Sequence, residues 1–98
     1  MIRRKEMKTM TNAIEFIKEN VKELTVIFAK DHIIENDIDK YWTIDESEMT
    51  YTFKINGKYW YTFSKKRIEN MNPGDLTELV VLFYNSIIML YKVCIMKI

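Results

Sequence analysis

The residues best equipped for chemistry fall in one acidic stretch, Asp31-His32-Ile33-Ile34-Glu35-Asn36-Asp37, with Asp39 two positions further on. His32 and Glu35 are one helical turn apart, a spacing at which an imidazole nitrogen and a carboxylate can share a cation. A metal centre needs three or four such donors. The chain has no second histidine, and its one cysteine, Cys94, lies far along the sequence. The stretch therefore reads as a hydrated helix end, and no metal or cofactor is expected. His32 would serve as a general base only with an orienting partner inside a pocket.

Nucleophiles are no better placed. Ser47, Ser64 and Ser86 stand in no elbow or triad context, and Cys94 sits in an apolar run where a thiol behaves as a small hydrophobe. Gly57 and Gly74 are isolated turn residues, so no phosphate-cradling loop is present. The expectation is a protein that is not an enzyme.

The residues that could bind are concentrated in the stretch YTFKINGKYWYTF, residues 51–63. Asn56-Gly57 between two β-prone runs predicts a type I′ hairpin, because both turn positions need positive φ. A strict two-residue turn pairs Ile55 with Lys58, Lys54 with Tyr59, Phe53 with Trp60, Thr52 with Tyr61, Tyr51 with Thr62 and Thr50 with Phe63. Paired residues share a face. One face then carries Tyr51, Phe53, Ile55, Trp60, Thr62 and the Lys58 stem, and is read as core. The other carries Thr50, Thr52, Lys54, Tyr59, Tyr61 and Phe63.

On that second face Tyr59, Tyr61 and Phe63 form an aromatic row beside Lys54, with Lys65, Lys66 and Arg67 just beyond. Such a row can anchor a protein partner through Tyr and Arg, or stack unpaired bases while the cations attract phosphate. It can equally be covered by a helix, leaving only tyrosine hydroxyls in water. The binding set is thus Tyr59, Tyr61, Phe63, Lys54, Lys65, Lys66 and Arg67, with a protein partner preferred over single-stranded nucleic acid.

The elements that must position this hairpin are helical. Residues 12–35 read as an amphipathic helix. Asn12 and Glu15 have capping-box spacing, and Ile14, Ile17, Val21, Leu24 and Phe28 step by three and four. Tyr41-Trp42-Thr43-Ile44 is a short strand, Asp45-Glu46-Ser47-Glu48 a turn, and residues 64–70 a basic and polar connector. Pro73-Gly74 marks a turn, and Asp75 with Glu78 suggests a helix beginning near Leu76 and running toward Lys97. That last helix is apolar nearly all round. A chain this small can bury one or two of its faces and not the whole circumference, so the remainder points to a homodimer through residues 76–98. A central position within a monomer and a membrane span rank below that reading, the span because Asn85, Ser86 and Lys92 interrupt it.

The order α-β-β-β-α gives an α+β fold: a three-stranded antiparallel meander with an N-terminal amphipathic helix and a hydrophobic C-terminal helix. Ninety-eight residues make one domain, 1–98, with residues 1–10 a candidate flexible basic tail. The net charge of +1 conceals blocks of +3 over residues 1–10, −6 over 31–49 and +5 over 50–67. Adjacent blocks of opposite sign neutralise each other unless a partner intervenes. One cysteine fits a reducing compartment, and residues 3–9 lack the apolar run of a signal peptide, so a cytoplasmic location is expected. Phe, Tyr, Met, Ile, Asn and Lys, whose codons are rich in A and T, supply 51 of the 98 residues. That skew suits an AT-rich bacterium, phage or virus. It leads to the expectation of an accessory protein of a phage or mobile element that binds and occludes a host protein, such as a defence or replication factor. Single-stranded nucleic-acid binding is the alternative.

Overall fold

The computed structural model describes residues 13–31 and 38–96. Helix α1 spans Ala13–Asp31, a single 3-10 turn Ile38–Lys40, strand β1 Trp42–Glu46, β2 Thr50–Ile55 and β3 Lys58–Ser64. Helix α2 spans Lys65–Glu69, and α3 spans Pro73–Met96. The three strands form an antiparallel meander in the order β1-β2-β3, so the α+β arrangement expected from the sequence is the observed one.

Helix α1 forms where the apolar period is 3.6. Ala13, Ile17, Val21, Thr25 and Phe28 are its buried residues, four or three apart, while Ile14 and Leu24 flank them half-buried. Buried Thr25 satisfies its hydroxyl locally by donating to the Lys22 carbonyl at 2.9 Å. Asn12, expected to cap this helix, lies outside the described residues, as do residues 32–37.

In the hairpin, Asn56 and Gly57 adopt φ of 55° and 77°, the positive values that the Asn-Gly pair predicted. The first two pairs beyond the turn, Ile55 with Lys58 and Lys54 with Tyr59, also follow the expected register. Then the ladder shifts. A β-bulge places Phe53 opposite Tyr61, Thr52 opposite Thr62, Tyr51 opposite Phe63 and Thr50 opposite Ser64. Trp60 stays on the core side, as expected, and the face assignment is corrected from Tyr61 onward. Phe63 turns to the core side, where it is 8% exposed, and Thr62 turns to the opposite side and hydrogen-bonds Thr52 hydroxyl to hydroxyl at 3.2 Å. The physical reason is burial. An unbulged ladder would leave a phenylalanine in water and bury a threonine, and burying the ring is worth about 1.5–3 kcal/mol.

Both long helices pack on one face of the sheet and against each other. Phe83 of α3, fully buried, lies at the centre. Its ring is 4.9 Å from Phe53, 4.9 Å from Trp60 and 5.7 Å from Trp42. Around these rings, Ile17 and Val21 of α1 join Ile55 of β2 and Ile87 of α3. A second, smaller cluster of Phe28, Ile38 and Tyr91 closes the end where α1 meets the 3-10 turn.

Two further corrections concern the segment after β3. The connector contains a helix, α2, in which the Ser64 hydroxyl accepts the Arg67 N–H at 3.0 Å and fully buried Ile68 plugs the core. Helix α3 starts three residues earlier than expected. The Asn72 carboxamide oxygen accepts the Asp75 N–H at 2.8 Å, and Pro73 takes the first helical position, where no N–H is needed.

Candidate interaction surface

Among the described residues no cluster of three His, Cys, Asp or Glu side chains could hold a metal ion. Asp31 is exposed at the end of α1, while His32, Glu35 and Asp37 and the side chains of Asp39 and Cys94 lie outside the described residues. Ser47 bonds Thr50 within the β1–β2 turn, Ser64 caps α2, and Ser86 is half-buried on α3.

The expected binding set is dispersed by the bulge and by ion pairing. Lys54 and Tyr59 stand opposite each other on the face turned away from the helices, where Tyr59 is 66% exposed. Lys54 is held there by Asp45 of β1 at 2.9 Å. The rest of that face is polar: Thr43, Thr52 and Thr62 alternate with the buried positions. Tyr61, 46% exposed, lies at the sheet edge on the helix side, its ring 4.7 Å from Phe63. Lys65 passes over the Tyr51 ring to Glu46 at 2.6 Å, which draws the Glu46 carboxyl below its ordinary pKa and raises the lysine above its own. Arg67 covers the Phe63 ring at 5.5 Å, and Lys66 is exposed on α2. The aromatic row expected on one open face is thus divided among the open face, the edge and the core.

A different surface emerges where α3 passes β3. The buried stripe of α3, including Leu79, Phe83, Ile87 and Tyr91, occupies one side of the helix. On the flank beside it stand Leu82 at 54% exposure, Met89 at 65%, Leu90 at 46% and Val93 at 53%. Leu90 and Val93 border a hollow of about 210 Å³ with Trp60, Tyr59 and Lys58 of β3. Toward the other end, Leu82 and Leu79 border an open groove of about 620 Å³ with Phe63, Arg67, Asp75 and Glu78. Strand β3 and the α3 flank therefore run side by side in opposite directions, with Tyr61 between the two hollows. Singly exposed apolar residues are ordinary, and it is their grouping on one flank that makes this the candidate contact surface. The residues of this flank were not among the expected binding set. Their signal in the sequence was the excess of apolar positions on the last helix, more than one buried stripe can use.

Comparison with protein-family models, with curated proteins and with solved structures finds no match to this chain.

Proposed function

We propose that this protein is a non-enzymatic binding protein that works by covering a surface of another protein, through the α3 flank and the adjoining edge of β3. The observation that carries this reading is the exposed row Leu82, Met89, Leu90 and Val93 beside Tyr61. Apolar side chains and a tyrosine around two hollows suit a protein partner, whose own anchors would fill them. The AT-rich residue usage supports a setting in a phage or mobile element, where such a chain would occlude a host factor.

Single-stranded nucleic acid draws less support. The open sheet face offers one aromatic, Tyr59, and its central cation is already paired with Asp45. Base stacking along a strand needs successive rings.

The test compares two substitutions against candidate host proteins. Leu90→Lys on the flank should lose at least tenfold in affinity, while Thr52→Lys on the open face should bind as the wild type does. Equal binding by both variants would refute the assignment of the surface. A salt-sensitive affinity for labelled oligonucleotides would instead favour the nucleic-acid reading.

A further inference from the structure

We propose that the flank is also self-complementary, and that a second copy of this chain covers it in the absence of any other partner. The inference rests on the reading of the flank as a protein-binding surface and names one occupant for it. Leu82, Ser86, Met89 and Val93 are separated by four, three and four residues, the spacing of a helix–helix seam. An isologous contact requires each patch to fit itself after a two-fold rotation. Two α3 helices laid antiparallel about the middle of this seam set Leu82 against Val93 of the second copy. They also set Met89, the most exposed side chain of the row, against Ser86, the smallest. Large meets small where Met89 faces Ser86, which lets the helices approach near the middle of the seam, and Leu82 and Val93 close its ends with an apolar pair.

Exposure and charge agree with this pairing. Leu82, Met89, Leu90, Val93 and Tyr61 are each about half exposed or more, and apolar side chains grouped in this way on one flank are what an interface covers. Asp75 and Glu78 lie at one end of the flank, next to Arg67, and Lys58 lies at the other. Antiparallel association brings the carboxylates of one copy toward the Lys58 of the next, whereas parallel association stacks like on like. A foreign partner and the second copy would compete for the same side chains.

Sedimentation velocity from micromolar to millimolar chain concentration tests the proposal. The wild type should dimerise. Met89→Glu should weaken the dimer at least tenfold while retaining the wild-type circular dichroism spectrum, since the replaced side chain is largely in solvent. In a Cys94→Ser background, a mixture of Leu82→Cys and Val93→Cys chains should crosslink faster than either chain alone. A strict monomer at millimolar concentration would overturn the dimer, as would a dimer indifferent to Met89→Glu or lacking the mixed crosslink preference. Loss of a foreign partner by Leu90→Lys in a chain that stays monomeric would overturn the dimer alone and leave the reading of the surface standing.

Discussion

Tyr59 and Phe63 stand on the same strand four positions apart, yet the bulge between them sends one ring to water and the other to the core. Their substitutions should differ accordingly. Phe63→Ala is expected to cost about 3–5 kcal/mol by chemical denaturation, the range for deleting a buried aromatic, whereas Tyr59→Ala should stay within about 0.5 kcal/mol. Similar costs for the two would refute the bulged register. The pair of Glu46 and Lys65 makes a second residue-level case. Their hydrogen bond lowers the carboxyl below its ordinary 4.5 and raises the ammonium above its ordinary 10.5. The Glu46 contribution is complete above the ordinary carboxylate value and is lost as pH falls through the lower folded one. The Lys65 contribution is complete below 10.5 and is lost as pH rises through the higher folded value. Burial also raises the Tyr51 hydroxyl, so stability falls further once pH passes the ordinary tyrosine value of 10.0. An NMR titration of the Glu46 carboxyl should show its midpoint moving back up in Lys65→Met, and an unmoved midpoint would show that the pair does not form in solution.

At the scale of elements, α3 depends on how it begins. Asn72 provides the acceptor for the Asp75 N–H, and replacing it with alanine should destabilise the fold by about 1 kcal/mol in urea unfolding. Asp75→Ala, the cap suggested by the sequence, should cost less than Asn72→Ala, and the reverse order would restore the later start. The Asp75-to-Glu78 spacing alone suggests the later start, and choosing Asn72 instead depends on where the chain leaves α2. The hairpin turn was legible because Asn-Gly satisfies a local requirement for positive φ. The bulge was not, because it answers to Phe53 and Phe83 across the core rather than to its neighbours in sequence. Helix α2 escaped for a similar reason. Five residues are too few to display a period, and only Ile68 among its basic neighbours betrays a buried side. The dispersal of the expected site follows from the same register shift, since one displaced residue exchanges the faces of everything beyond it.

For the molecule as a whole, the deciding question is what α3 does with apolar surface that its own chain leaves uncovered. The helix is long and apolar enough to cross a membrane by length and composition, with a mean hydropathy of 1.5 over Pro73–Val93. Yet Phe83 and Ile87 are fully buried against the sheet and α1, so moving the helix into a bilayer would dismantle the core it completes. The proposed association of folded chains would cover the exposed flank without that loss. It would also couple assembly to stability, because a partner that binds only the folded state stabilises it by mass action. The apparent Tm of the wild type should therefore climb as chain concentration rises from micromolar to millimolar. That of Met89→Glu should stay flat, close to the wild-type value at the dilute end. A wild-type Tm independent of concentration would mean that the flank stays open in the isolated protein. In that case its apolar surface would serve a foreign partner alone, and Leu90→Lys would reduce that binding without altering any self-association.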